Sequence, residues 1–544
     1  MINEMKLSHF DYSLITEGNN IFILPLLYSS RYFGLLSRYN NFYIKTIDRI
    51  ENMNLKNKKI EEIKLKDYNE LEILYEDNSW ENYKLLDGKL IYKTNREAYL
   101  KVYFDVRHLY DIDEWGRIYN YRKINDNLVE ITFNKGEINY IIRIKDFIYL
   151  YENNEKWVKV YYNYDEYRKS PPYDRYLYVP FTFLSNKLEI ILSSNIKNNI
   201  DEDRFNINKL IKKRLESFIY DNKIAAGFPW YFQEWTRDVL ISLPGLYKAG
   251  FKDLVKKKLI EYSELFLDDG RLRNINGQNI GNSDGLGLYI KRLFDFKDLF
   301  DSFEFNKLLS NALIALNSYE YNYLDDKYFL FRAYPNETWM DTLNRQYPIE
   351  IQFLMMDVYD NLYNHTKNIE YKEKLEKLKN SVKLYYLSDS SLYDDLKDRK
   401  IRCNIFLSYY YYPKLFSNIE WEKIFDYAML HLYLDWGGIS SLSKLDKNFI
   451  KDTNEDNYFL NEGKSMHNGD SWIYINNIAA ISLYKVNKEK YRDEINKILE
   501  SDLQLIKMIG TLPERSSASK LKPAGALHQL WSLATYIELK DVVA

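Results

Sequence analysis

The hydrophobic period of this chain changes after Ser194, and that change narrows the folds open to it. Before it, apolar residues alternate with polar ones or come in short runs. Leu128-Val129-Glu130-Ile131-Thr132-Phe133 alternates, Asn134-Lys135-Gly136 can turn, and 138–144 returns, which predicts a hairpin. Segments 71–75, 89–93, 99–106 and 188–192 read as further short strands. Many short strands separated by turns favour an antiparallel β-sandwich. From Asp203 onward the period is helical. Six segments are amphipathic: about 204–221, 251–267, 303–317, 370–386, 420–432 and 489–506. Phe251, Leu254, Val255, Leu259, Tyr262, Leu265 and Phe266 show the stripe. Between them lie six more uniformly apolar segments, near 237–249, 284–294, 348–363, 403–413, 470–484 and 525–538. Alternating half-wet and apolar helices point to an outer ring around an inner one. The expected organisation is therefore a β domain over 1–195 and an all-α domain over 196–544.

Bulk properties exclude several classes of function. A chain of 544 residues is too long for one core. A net charge of -3 argues against a nucleic-acid or membrane-surface partner. The single cysteine, Cys403, leaves no intrachain disulfide and no cysteine-based metal cluster. Histidines are few and dispersed, so neither a catalytic metal nor another cofactor is expected. The start, MINEMKLSHF, lacks the regions of a signal peptide, and the longest apolar runs, such as 21–28, are too short to span a bilayer. A cytoplasmic location is the expectation; oligomeric state is not encoded legibly. Tyrosine is abundant, 52 residues, which suits carbohydrate surfaces but equally reflects a compositional bias.

Chemistry concentrates at Gly227 to Gly245, GFPWYFQEWTRDVLISLPG. Aromatic residues crowd around Arg237 and Asp238 where a helical period begins with Val239, Leu240, Leu243 and Leu246. Aromatic rings can cover the C–H faces of a sugar while a cation and a carboxylate grip its hydroxyls. The alternative is an aromatic core with one satisfied ion pair. Here the residues carry a resemblance. Trp235-Thr236-Arg237-Asp238, preceded by Gly227-Phe228-Pro229-Trp230 and followed by Leu243-Pro244-Gly245-Leu246, resembles the glycogen-debranching amylo-α-1,6-glucosidase family, related to glucoamylases. The resemblance implies an (α/α)6 toroid of the C-terminal glucosidase type, with Arg237 and Asp238 holding the non-reducing-end glucose. In such a toroid the inner helices are parallel, so their N-terminal ends open on one face.

Other elements agree with it. Thr338-Trp339-Met340-Asp341 matches the family motif whose Asp is the general acid, and a Trp beside a carboxyl would raise its pKa as that role requires. Glu337 is the rival acid. Glu514 precedes Pro523-Ala524-Gly525-Ala526-Leu527-His528-Gln529-Leu530-Trp531-Ser532, a layout similar to the family's base element. The implied role of Glu514 is general base on water; its bland alternative is a solvated loop acid paired with Arg515. Met466-His467-Asn468-Gly469-Asp470-Ser471-Trp472 resembles the family's His-x-Gly-x-x-Trp loop. Arg345, Pro348, Glu350 and Ile351 resemble the element after Asp341. Ser30-Arg31-Tyr32-Phe33-Gly34-Leu35-Leu36 and, more loosely, Glu166-Tyr167-Arg168 resemble N-terminal-domain elements. The implied substrate-binding set is Trp235, Arg237, Asp238, Asp284, Trp339, Arg402, Asn404, His467, Trp472, Gln529 and Trp531. For Asp284 with Asn282 and Ser283, or Asp470 with Ser471, helix capping is the competing explanation.

The chain also departs from the pattern. Arg402-Cys403-Asn404 stands where the family has Arg-Pro-Asn, Glu17-Gly18-Asn19-Asn20-Ile21-Phe22 replaces a Gly-rich stretch, and the His expected near Phe33 is absent. The chain has no room for a transferase barrel, so glucosidase activity alone is expected. The leading expectation is an exo-acting, inverting glycoside hydrolase that releases glucose from α-1,6 branch points of an α-glucan or oligosaccharide. The alternatives are a glucoamylase or trehalase-like hydrolase and a non-catalytic glucan-binding protein.

Overall fold

The strand Lys89–His108 organises the β-rich part of the computed structural model. Its first half pairs with Trp80–Leu86 and its second with Phe42–Asn52, while Phe181–Leu192 runs along the other edge. Every pairing in this sixteen-stranded sheet is antiparallel. The sequence resolves Lys89–His108 into two strands because Asn95, Arg96 and Glu97 are consecutive exposed polar residues. The partner strand accommodates them with a register shift between Ser185 and Lys187, a local irregularity that leaves the ladder continuous. The expected hairpin is present: Leu128–Lys135 and Ile138–Lys145 pair from Leu128↔Lys145 to Lys135↔Ile138. Along Ile138–Lys145 only Ile138, Tyr140, Ile142 and Ile144 are buried, the signature of a sheet with one dry face. Two motifs of this unit touch one another. Ser30 Oγ and the Arg31 N–H both donate to the carboxylate of Asp165, in a short helix α1, Asn163–Tyr167.

The structure describes residues 5–7, 12–40, 42–192, 206–388, 391–452 and 464–544. It divides into two compact units: Met1–Asp221 with Ile506–Thr511, and Asn222–Leu505 with Leu512–Ala544. The expected boundary between residues 195 and 196 lies outside the described residues. Helix α2, Ile207–Glu216, belongs to the first unit.

The second unit is helical: α3 Thr236–Lys248, α4 Lys252–Tyr262, α5 Gly285–Asp295, α6 Ser302–Tyr323, α7 Ile349–Thr366, α8 Ile369–Tyr385, α9 Asn404–Tyr411, α10 Asn418–Leu432, α11 Ile473–Asn487, α12 Arg492–Ile509, whose residues from Ile506 on fall in the first unit, and α13 Leu530–Val543. The apolar segments pack on one another in circular order: α3 on α5, α5 on α7, α7 on α9, α9 on α11, α11 on α13, and α13 back on α3. Burial explains the order. In α11 every residue from Ile473 to Leu483 is buried, so the helix needs neighbours all round. In α8 only Leu375, Leu378, Ser381 and Val382 are buried, one stripe, and it packs on α7. Close packing is enforced at Gly245, where a Cβ would stand 2.0 Å from the Ala534 carbonyl oxygen of α13. No helix among the described residues is long and apolar enough to cross a membrane.

Candidate functional site

The N-terminal ends of the six apolar helices lack side-chain caps. The cap residues Trp235, Asp284, Pro348, Cys403, Trp472 and Gln529 make no side-chain cap hydrogen bond. Three of the outer helices, by contrast, start with capped ends, two of them capping boxes at Asp301/Glu304 and Ser417/Glu420. Asp284 and Asp470 therefore do not act as caps. Asp284 receives Arg237, and Asp470 pairs with Arg515 and accepts from Ser465 Oγ.

Four tryptophans, Trp235, Trp339, Trp472 and Trp531, together with Tyr231 and Met466, line a cavity of about 80 Å3. Arg237, Asp238, Asp341, Glu514 and Gln529 complete its wall. Residues almost three hundred positions apart meet here because α3, α11 and α13 all start at this cavity. The indole N–H groups of Trp235 and Trp531 and the amide oxygen of Gln529 are buried without a hydrogen-bond partner among the described residues. Buried polar atoms are rarely left unpaired, which sets these three apart from the rest of the described interior.

Arg237 and Asp238 are adjacent in sequence but are not a pair. Successive helical residues point in different directions. The Arg237 Nε–H donates to both Asp284 oxygens, at 2.9 and 2.8 Å, and its Nη2 donates to the Glu337 carbonyl at 2.7 Å. Asp238 instead accepts from Gln529 Nε2 at 3.1 Å. Burial pushes the Asp238 pKa up to about 8, with the charges of Glu514 and Asp341 adding and Arg237 opposing. At neutral pH it is largely a neutral acid with an O–H to donate, a correction to the charged pair read from sequence.

Asp341 lies at the mouth, its side chain 54% exposed. Its Oδ1 is 3.4 Å from His467 Nε2. Partial burial raises its pKa, but the contact with His467 and the charge of Arg237 outweigh that, and the net shift is downward. The raised pKa expected from Trp339 is thus not found: burial does raise it, but the contact with His467 and the charge of Arg237 overcome that effect. His467 itself is fully buried, which lowers its pKa to about 4, so it meets Asp341 as a neutral ring. The rival Glu337 is engaged elsewhere, ion-paired with Arg271 and accepting from Ser283 Oγ at 2.6 Å. Glu514 is buried rather than solvated, and its Oε2 accepts from the Ala526 N–H at 3.2 Å. Gly525 has φ +71° and a Cβ there would stand 2.1 Å from Glu514 Oε2, so only glycine leaves that carboxylate in place.

Asp284, Arg402, Asn404 and His467 stand behind the lining rather than in it. Asn404 Oδ1 accepts from the Trp339 indole at 2.8 Å, and its Nδ2 donates to Asp394. Arg402 donates to the carbonyls of His467 and, at 3.5 Å, Ser441. His467 stacks on Trp472 with ring centroids 5.0 Å apart. These residues hold the lining in place. Tyr231 and Met466 line the cavity but escaped the sequence reading as site residues; Tyr231, within the aromatic stretch before Trp235, was the findable one.

Comparison with known proteins bears on the family and the fold. The pattern of the amylo-α-1,6-glucosidase family matches residues 206–282 and 285–538. No curated protein matches significantly. Among solved structures, a bacterial glucoamylase complexed with acarbose is similar over 98% of this chain and 94% of its own, at 10% identity and a TM-score of 0.63. A glycosidase variant in complex with glucose is similar over 62% of this chain and 96% of its own, at 13% identity and a TM-score of 0.46.

Proposed function

Because the chain belongs to the amylo-α-1,6-glucosidase family, a family of glycoside hydrolases, we propose that it releases single glucose units from α-1,6 branch points of an α-glucan. The observation that carries this reading is a cavity lined by four tryptophans together with two carboxyl groups, Asp341 and Glu514. We read the six apolar helices as the inner ring of an (α/α)6 toroid, following the β-sandwich in sequence, and the cavity as the subsite for one terminal sugar.

In the proposed mechanism Asp341 protonates the leaving oxygen and Glu514 activates water on the opposite face of the sugar. Asp341 is ionised at neutral pH in this structure. A sugar at the mouth covers its exposed side, and desolvation then raises its pKa toward that of a working acid. Neutral Asp238 donates its O–H, and the Trp235 and Trp531 indoles donate their N–H groups, to sugar hydroxyls. Retention of two carboxyls on the wall disfavours the non-catalytic reading.

The alternative is an α-1,4-acting glucoamylase, whose fold the chain shares over nearly its full length. Glucose release by the purified protein from branch-stub, linear α-1,4 and trehalose substrates separates the readings. Faster turnover of the linear or trehalose substrate replaces the debranching assignment; binding of glycogen with no glucose released removes the enzyme.

A further inference from the structure

The β-rich unit carries an exposed aromatic cluster that the proposed hydrolysis does not use. In a sheet with one dry face, alternate residues point to water and are ordinarily polar. Along Lys89–His108 and the short strand Tyr149–Glu152 the inward positions are apolar as expected: Ala98, Leu100 and Leu150 are buried. The outward positions next to them carry Tyr99, Tyr149 and Tyr151, exposed at 48%, 55% and 43%. Register brings the three together. Phe181–Leu192 pairs with both strands, and its Leu184 stands opposite Tyr149 on one side and Tyr99 on the other. Ring centroids lie 4.7 Å apart for Tyr149 and Tyr151, and 6.1 Å apart for Tyr99 and Tyr151. Of the tyrosines exposed among the described residues, only these three have rings in contact with one another. We propose that this tyrosine platform is a second carbohydrate site, which holds a stretch of α-glucan chain without cleaving it.

Size, polarity and tilt choose the occupant. An aromatic side chain covers about 150–250 Å2 when buried, so three half-exposed rings offer roughly 300 Å2. A stable partner protein or a second copy needs about 800 Å2 on each side. Ile148, exposed beside Tyr149, does not close that gap. A short run of sugar rings fits an area of that size. Flanking charges cancel: Glu97 and Lys101 stand two positions either side of Tyr99, so neither an anionic polymer nor a charged membrane finds a field of one sign. The edge is polar, since Thr182, opposite Tyr151, donates its Oγ1 hydroxyl to Asn153 Oδ1 at 2.8 Å. The ring planes are tilted, by 56° between Tyr149 and Tyr151 and by 52° between Tyr99 and Tyr151. Successive sugars of an α-linked glucan turn relative to one another and the chain curves, so tilted planes can each meet a different sugar face. A flat β-linked ribbon calls for parallel planes. The backbone ladder fixes the strands that carry the rings before any ligand arrives, which lowers the ordering cost of binding. The ligand class rests on the glucosidase reading, but the platform belongs to the first unit and shares no residue with the tryptophan cavity. A second hold on one polymer raises the effective concentration of its chain ends.

The test is calorimetric titration of the intact protein with β-cyclodextrin, a closed α-1,4 ring with no free end for an exo-acting enzyme to consume, and with cellohexaose as the flat control. Retardation in native gels containing glycogen reads the same site on the polymer. Wild type is compared with the double variant Tyr149→Ala/Tyr151→Ala and, on a different strand, with Tyr99→Ala. The expected result is saturable cyclodextrin binding in the wild type, weakened about tenfold or more in the double variant by loss of two rings, with weaker retardation by glycogen. Melting temperature and glucose release from a short branched oligosaccharide stay unchanged, while KM for glycogen rises. Absence of saturable cyclodextrin binding, or equal affinity in wild type and both variants, overturns the proposal. Cellohexaose bound as tightly as cyclodextrin overturns the α-glucan assignment, and a dimer in sedimentation that the double variant loses gives the platform to a second copy instead. A protein that releases no glucose but is still held by glycogen through these tyrosines keeps the platform and removes the hydrolase; an active enzyme whose binding ignores them does the reverse.

Discussion

Asp238→Asn should make the protein more stable and less active, and the gain should grow with pH. In the native state the Asp238 carboxyl titrates at about 8, against an ordinary 3.8. A folded pKa raised above the unfolded one means that the native state holds a proton the unfolded chain gives up. The relative stability is intact below about pH 4 and is lost progressively up to about pH 8. Within that window each pH unit costs about 1.4 kcal/mol, so pH 7 is worse than pH 5 by about 2.7 kcal/mol. Asparagine has the same shape, still accepts from Gln529 Nε2, and does not titrate. At about 2 °C per kcal/mol for a unit of this size, the melting temperature of the variant relative to wild type should rise by about 5 °C between pH 5 and pH 7. Differential scanning fluorimetry of both proteins across that range measures it, with glucose release assayed alongside. A difference that stays flat with pH would show that Asp238 is not protonated in the native state. A variant less stable at every pH would show that the carboxylate is a structural anion after all.

The proposed mechanism makes three further predictions. Asp341→Asn and Glu514→Gln should each lower kcat by about 10²–10⁴-fold with little change in melting temperature; near-normal turnover removes that residue from the chemistry. Arg237→Lys should lower kcat/KM at least about tenfold and also lower the melting temperature, because an ammonium cannot hold Asp284 and the Glu337 carbonyl in one fixed fork. Proton NMR of the first minutes of hydrolysis should show β-glucose first, since a water-activating Glu514 inverts the anomeric centre; initial α-glucose recasts Glu514 as a nucleophile.

The helices and the site were legible to different degrees for physical reasons. The amphipathic helical segments announce themselves through their period, as in 251–267, where the stripe of Leu254, Val255, Leu259 and Tyr262 is the buried face of α4; the apolar segments announce themselves by being apolar all round. The cavity lining was legible through residue patterns, which single out Trp339, Asp341, Glu514 and Gln529 without knowing their neighbours. What sequence could not convey is pairing across distance. Arg237 beside Asp238 reads as an ion pair, yet its partner Asp284 arrives 47 positions later on another helix. The same holds for His467, whose Nε2 comes within 3.4 Å of Asp341, 126 positions earlier in the chain. The protonation of Asp238 follows from burial and two nearby carboxylates, and none of those quantities exists before the chain folds.

The circular packing of the helices also sets the order of events during synthesis. The contact of α13 on α3 joins segments separated by roughly 300 residues, so it is among the most non-local in the unit. On a ribosome adding about 5–20 residues per second, α3 waits fifteen seconds or more, as an order of magnitude, for the helix that covers it. Until then Gly245 and the apolar face around it are open to solvent and to other nascent chains. Glu514, Gln529 and Trp531 arrive in the same late stretch, so the tryptophan cavity and the closure of the circle are completed by a single step. A chain stalled before that step exposes a large apolar seam and lacks Glu514, the proposed base, so the fold and the cavity are completed together.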